Sequence, residues 1–520
     1  MCSFSPVKMA LHGADDSSFR REGLTPLSWA AKGGHEAVVE MLLARDDVNA
    51  NAPNALGQTP LFIAAWEGHE GVVKMLVGRG DVNPNTANSF GQTPLWVAAE
   101  WSHDGALKVL LERNDVNPNT RVVDGVAPLH IAAYDGHEEV VKMLLERDDT
   151  DINTLTNYGE TPLFLAADRG YEGVVKAILS RADANPNSVN HDGETPLCRA
   201  AKNGYERVVK ALLERLDVDP KIPNIMGQTP ILAAANEGHE GVLMHLLLQA
   251  DINPNTPGPC GQTPLFIAAE QGHNAAVQRL LERADVNPNT RNGYNATPLF
   301  IAAYEGHRWC VEMLLERSDT DPNARVDDGK TPLCVAAWFG REDVVEMLLE
   351  HQDINPNLAD KSGRTPLFEA SCCRHEGVVS MLLGRADVNP NAVDNCGQSP
   401  LLEAAMFGEE GIVKILLEHE GVDPNIAEDH GRTPLFEAAW GGHEGVVKML
   451  LERVDVNTDM ADLSGETAVS GALRNGHHAI VKLLSQRKNS IPRSDGHKPT
   501  MLSSEPSDSD EHPSKRICRF

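Results

Sequence analysis

The sequence predicts an all-α solenoid, with short hairpin turns, built from about fourteen stacked helix-turn-helix units. Three observations carry that expectation. The stretch "GQTPLFIAAWEGHEGVVKMLVGRGDVNPNT", Gly57 to Thr86, returns as "GQTPLFIAAEQGHNAAVQRLLERADVNPNT", Gly261 to Thr290. A threonine opens the unit at Thr25, Thr59, Thr93, Thr161, Thr195, Thr229, Thr263, Thr297, Thr331, Thr365, Thr433 and Thr467, and Ala127 and Ser399 fill the two gaps, so the spacing is 34 throughout. Finally, 520 residues would ordinarily make three or four globular domains, yet aromatics are only 5% and no shift in composition divides the first 480 residues. Unbroken periodicity of this length is the mark of a solenoid.

Each unit reads from its own residues. Thr followed by Pro is an N-cap and a first helical residue whose missing N–H costs nothing. In the second unit Leu61, Ala64 and Ala65 form the apolar face of this first helix, and the small Ala pair admits a close neighbour. Gly68 ends it, and glycine holds that position in twelve of fourteen units, as suits a left-handed C′ residue. A second helix opens at His69 and Glu70 and carries Val72, Val73, Leu76 and Val77 at helical spacing. Glu70 and Lys74, Glu138 and Lys142, Glu172 and Lys176, Glu206 and Lys210, Glu410 and Lys414, and Glu444 and Lys448 stand as i, i+4 pairs. The remaining "DVNPNT…G" is rich in Asn, Pro and Gly and predicts a projecting turn.

The pattern G-x-TPL-x-x-AA-x-x-GHE-x-VV-K-x-LL followed by DVN resembles the ankyrin repeat from about Gly23 to Leu484. The resemblance implies helix pairs joined by hairpins, and partners bound on the concave face. Two departures stand out. The family unit usually has 33 residues and reads GADVNA, whereas this chain has 34 and reads RADVNPN, a variant similar to arrays common in fungal proteins. The family's His after Thr-Pro-Leu survives only as His130 and is mostly Phe elsewhere (Phe62, Phe164, Phe266, Phe300, Phe368, Phe436), which implies that packing replaces its hydrogen bond.

The domain reading is an N-terminal segment, 1–22, holding no complete unit and serving as an incomplete cap; an array, 23–486; and a tail, 487–520. The last unit, "ETAVSGALRNGHHAIVKLL", replaces the proline with Ala468 and introduces Ser470 and Gly471, as a polar C-terminal cap would. The tail is Ser, Pro and acid rich and predicts disorder, with Ser503, Ser504, Ser507 and Ser509 placed among acids as acid-directed kinases prefer. Lys515, Arg516 and Arg519 form a short basic cluster of the kind that serves nuclear import.

Charge and chemistry exclude several functions. The net charge is -29, and because residues 487–520 carry seven Lys/Arg against five Asp/Glu, the rest of the chain sums to -31. Direct nucleic-acid binding, which needs a basic footprint, is not expected. There is no apolar run near the 18 residues a membrane span needs. Nine irregularly spaced cysteines and no signal peptide point to a reducing compartment, hence a cytoplasmic protein with a nuclear alternative. Ten of twenty histidines (His35, His69, His103, His137, His239, His273, His307, His375, His443, His477) share one column, so they serve the layers. GxxxxGK[ST], HExxH, GxSxG and GxGxxG motifs are absent, and "CCRH" at Cys372, Cys373 and His375 lacks CxxC spacing and a second ligand pair. The sequence therefore predicts no catalytic residue, cofactor or metal. Cys198 and Cys334 occupy Phe positions and read as small core residues.

Function then falls to the columns that vary. The two residues between the Ala pair and the Gly include Trp66, Glu67, Trp101, Tyr134, Asp135 and Arg169 early, and Tyr304, Glu305, Trp338, Phe339, Phe407 and Trp440 late, two aromatic patches flanking a polar stretch. Interface hot spots favour such rings. Glu369, Glu403 and Glu437 stand in a column otherwise mostly Ile, Val or Leu, an acidic ladder read either as a solvated helix face or as a site for a basic peptide. The expected role is a monomeric, non-catalytic scaffold or adaptor binding one or more proteins. The alternatives are a nuclear transcription coregulator and the recognition part of a larger signalling or enzymatic protein.

Overall fold

In the computed structural model, which describes residues 23–490 and side chains through 487, twelve of the fourteen units start on the same local device, Ala127 and Thr229 being the exceptions. The Thr before the Pro is extended (Thr59, φ -80°, ψ 163°) and its hydroxyl oxygen accepts the N–H three residues on, as at Phe62, Trp96 and Phe164. Ala127 has no hydroxyl, and there the ring of His130 accepts the Ala127 N–H through Nδ1 (3.1 Å). Its Nε2–H then donates to the Thr154 and Glu160 carbonyls, at 3.0 and 3.1 Å. In the repeats that carry Phe instead, Phe62, Phe164, Phe266, Phe368 and Phe436 are fully buried.

The described residues hold 28 α-helices and no strand, only an isolated bridge between Ala461 and Thr467. They form fourteen pairs, numbered below as repeats 1–14, each a first helix such as Pro60–Trp66 and a second such as Glu70–Val77. The chain divides into two compact units, residues 1–395 and 396–520, with eleven pairs in the first and three in the second. Within each unit first helices stack on first helices and second on second. The core is the Leu of Thr-Pro-Leu, the Ala pair, and the two Val and one Leu of the second helix, so Leu61, Ala64, Ala65, Val72, Val73 and Leu76 are buried while Val77 is half-buried.

The turn between the helices needs a left-handed residue in every repeat. Gly68 has φ +76°, and a Cβ there would lie 2.6 Å from the ring of His103 in the next repeat. The two repeats without glycine adopt the same backbone: Ser102 at φ +53° and Arg374 at φ +67°.

The Asn-rich segment stitches layers together. In ten repeats an Arg clamps the Asp two residues later, as Arg113 does Asp115 at 2.8 and 2.5 Å, and in nine of them, all but Arg45, its Nη1 also donates to carbonyls of the preceding repeat, Val77 at 3.0 Å for Arg113. The second Asn bridges forward: the Asn85 amide donates to the Asp115 carbonyl (2.6 Å), and its Oδ1 accepts the Asn117 N–H (2.8 Å). Lys221 replaces this Asn in repeat 6, and its Nζ reaches Asp251 at 2.9 Å.

The i, i+4 pairs form in part. Lys142 meets Glu138, Lys176 meets Glu172 and Lys448 meets Glu444 at 2.6–2.8 Å. Glu206 instead accepts from His245 of the following repeat, and Lys414 lies 4.0 Å from Glu418. These opening glutamates also lean across layers: a Cβ at Gly71, Gly173 or Gly445 would collide with the carboxylate of Glu36, Glu138 or Glu410 one repeat earlier. That explains a second glycine in "GHEG" which the pairing pattern does not.

Candidate partner-binding site

The varying residues after the Ala pair lie where each first helix ends, and a helix C-terminus leaves carbonyls unpaired. The histidine column satisfies them from the next repeat. His103 Nε2 bonds the Trp66 carbonyl at 2.8 Å, His137 that of Glu100 at 3.0 Å, His375 that of Trp338 at 3.0 Å, and His443 that of Met406 at 3.0 Å. Arg341 does the same for Tyr304 through Nε (3.2 Å). Where Tyr205 replaces His, the Asn203 amide takes the Asp168 carbonyl at 3.0 Å. The backbone under the variable column is thus fixed, and its side chains differ freely from layer to layer.

Their exposure differs too. Glu67, Trp101, Arg169, Glu305 and Phe407 are exposed, and Trp66, Asp135, Tyr304, Trp338, Phe339 and Trp440 are half-buried. Tyr134 is buried, with the Arg169 guanidinium 4.8 Å from its ring centre, so this ring packs within the array. Trp66 meets Phe62 edge to face at 5.9 Å. The later residues of the first unit gather into one shelf: Tyr304 meets Phe339 at 4.8 Å, and Phe339 meets Trp338 at 5.2 Å. In the second unit Trp440 stacks on Phe436 at 6.0 Å, with Arg432 and Arg474 at 5.6 and 5.9 Å from its centre. Half-exposed rings held by such contacts lose little freedom on meeting a partner.

The acidic residues require a correction. Glu369, Glu403 and Glu437 are only 3%, 6% and 8% exposed, so they form neither a solvated face nor an open acidic ladder. The residue directly before Thr-Pro is pulled in beside two of them. Lys330 Nζ lies 3.1 Å from Asp360, 3.2 Å from Asp328, 3.8 Å from Glu369 and 4.7 Å from the centre of the Trp338 ring. Arg432 lies 3.5 Å from Glu437 and 3.7 Å from Asp462. Burial raises the Glu369 and Glu437 carboxyls above their ordinary value, opposed by Lys330 and Arg364 at the first and Arg432 at the second. A similar cluster in repeat 6 sets Arg199 against Glu194 (2.5 Å) and Asp168 (3.5 Å). At Glu270 burial, and then the charge of Glu305, raises the carboxyl.

The hairpin tips add residues that a reading of Asn, Pro and Gly alone passes over. Phe90, Val123, Tyr158, Ile225, Met226 and Tyr294 are exposed there, in the two positions before the hairpin glycine or the Asn295 that replaces it at φ +64°. Apolar residues in a column flanked by turn formers were the available signal. Cys198 and Cys334 are buried, and burial pushes the Cys198 thiol up to about 12. Cys372 and Cys373 are half-buried, and among the described residues no three His, Cys, Asp or Glu side chains are grouped to hold a metal ion. No described helix is long and apolar enough to cross a membrane. Ser503, Ser504, Ser507, Ser509 and the basic cluster lie outside the described residues.

A family model described as ankyrin repeats, three copies, matches residues 3–88, 95–190, 163–256, 231–326, 318–392 and 386–460. The chain belongs to the ankyrin-repeat family. Ankyrin repeats are a protein–protein interaction module. No curated protein matches the chain. Among solved structures, the ankyrin repeat domain of Bcl-3, described as a unique member of the IkappaB protein family, is similar at 27% identity over 44% of this chain and 100% of that one, with a TM-score of 0.40.

Proposed function

We propose that this ankyrin array is a non-catalytic adaptor that holds partner proteins on its variable column, with the Tyr304, Trp338 and Phe339 shelf as the principal anchor. One observation carries the reading: the columns that recur are engaged in layer-to-layer bonds, and the column that varies places aromatic rings at half exposure in mutual contact. Such rings supply binding energy in proportion to the water they lose. Trp101, Phe407 and Trp440 extend the same chemistry to other layers, and Glu67, Asp135, Arg169 and Glu305 set the charge around it. The adaptor acts as a monomer in the cytoplasm, with residues 23–486 as its working array and the tail as a separate segment.

The test is affinity capture with mass spectrometry, comparing the native chain with Tyr304→Ala/Phe339→Ala and with Trp101→Ala/Phe407→Ala, after circular dichroism shows equal helix content. Loss of a partner from the first variant supports the shelf. An unchanged partner list for both sinks the proposal and leaves the rings as packing.

A further inference from the structure

The side chain directly before Thr-Pro runs along its own first helix and meets the variable residue eight places on. Lys330 Nζ is 4.7 Å from the centre of the Trp338 ring, the Arg432 guanidinium is 5.6 Å from that of Trp440, and Gln262 Nε2 donates to Glu270 at 3.3 Å. Repeat 9 has only Ala296 in this place, and a methyl group cannot span the distance to Tyr304. The residues beneath are uncovered as a result. Ile301 is half-buried, whereas its counterparts Ile63, Val97, Ile131, Leu165, Ile267 and Val335 are 1–7% exposed. Phe300 is 9% exposed, against 1–2% for Phe62, Phe164, Phe266, Phe368 and Phe436. Repeat 4 also has a short residue there, Val126, but Arg169 of the next repeat lies 4.8 Å over the Tyr134 ring; in the place of Arg169, repeat 10 has Phe339. Repeat 9 therefore keeps an open notch, with Ile301 as its floor and the half-buried Tyr304 ring as its wall.

Resting on the adaptor reading above, we propose that this notch receives a lysine or arginine side chain of the partner protein, its aliphatic stem on Ile301 and Tyr304 and its charged head beside Glu270 and Glu305. The array itself supplies the template. In repeat 10 Lys330 fills the equivalent place from within, over Trp338, with its head 3.1–3.8 Å from Asp360, Asp328 and Glu369. In repeat 13 Arg432 does the same over Trp440, 3.5 Å from Glu437. Repeat 9 keeps the ring and the acids and lacks the cation. Glu270, half-buried, occupies the Tyr304 column one layer earlier, Glu305 follows Tyr304 in the chain, and neither forms an ion pair with a described residue. The charge of Glu305 adds to burial in raising the Glu270 carboxyl, as two acids facing one space without a cation do. A long cationic side chain suits such a place because its stem covers apolar surface, its head meets carboxylate, and the ring face attracts its charge.

Selection of a random peptide library displayed on phage, with the full chain as bait, tests this. Peptides whose binding is lost in Tyr304→Ala/Phe339→Ala should carry a lysine or arginine beside an apolar residue. A synthetic copy of the best one, followed by fluorescence anisotropy, should bind about tenfold more weakly to Glu270→Gln/Glu305→Gln, and a copy with norleucine for its basic residue should bind both chains equally. Ala296→Lys, which supplies the cation from within, should weaken binding by a similar factor while circular dichroism stays unchanged. Shelf-dependent peptides without a basic residue, or affinities that neither the glutamine pair nor Ala296→Lys alters, would overturn the notch and leave the adaptor reading standing. A selection that yields no shelf-dependent peptide would overturn both.

Discussion

Replacing Lys330 with methionine keeps most of the side-chain volume and removes the ammonium that lies within 3.8 Å of Asp328, Asp360 and Glu369. The Lys330 side chain is 12% exposed, and those of Asp360 and Glu369 are 4% each. Breaking a buried ion pair from one side costs about 3–5 kcal/mol. Asp328 is 56% exposed and stays hydrated, so the lower part of that range, about 3 kcal/mol, applies. An array of repeats opens locally, so the assay is native-state hydrogen exchange in the helices Pro332–Trp338 and Pro366–Cys372, where about 3 kcal/mol appears as exchange faster by roughly a hundredfold. The pH dependence sharpens the test. Burial already raises the Glu369 carboxyl and the Lys330 charge pulls it down, so the variant raises it further. The folded chain then holds a proton the unfolded chain releases, a contribution present below the ordinary carboxylate value and lost as pH rises. The cost should therefore shrink from pH 8 to pH 5. Adding Glu369→Val, the residue type at Val335 in the same column, should restore most of the protection. A change below threefold, or an equal cost at both pH values, would refute the reasoning.

Other changes test the layer bonds. Ser102→Gly and Arg374→Gly relieve left-handed backbone that costs an L residue about 1–2 kcal/mol and should each slow local exchange several-fold; faster exchange would show that the side chains contribute more than the strain. Asn85→Ala removes both links to the next repeat and should cost roughly 1–2 kcal/mol for two half-exposed hydrogen bonds, read as faster exchange of the Asn117 amide. Burial lowers His130 to about 4, so its neutral ring stabilises the fold above about 6.5 and loses that effect as pH falls toward 4. Its ring proton resonances should stay constant from pH 8 to 5, and His130→Phe, the residue of six other repeats, should remove the acid sensitivity of repeat 4.

The order of helix and turn was legible in the sequence because those choices are local. Thr-Pro fixes a helix start within three residues, and the Gly68 column marks a left-handed turn that Ser102 and Arg374 obey even without glycine. The histidine column was legible as structural, but not the carbonyl it meets 37 residues earlier, because stacking sets that distance. The Asn of "DVNPNT" likewise reads as a turn former, yet its amide reaches 30 residues forward to the next layer. Glu369 shows the limit most clearly. Its column and spacing were readable, while its burial depended on Lys330 reaching across from the start of the repeat before and on Asp360 closing beside it. One sequence position states a charge, and only the packed layers decide whether water or a counter-charge surrounds it.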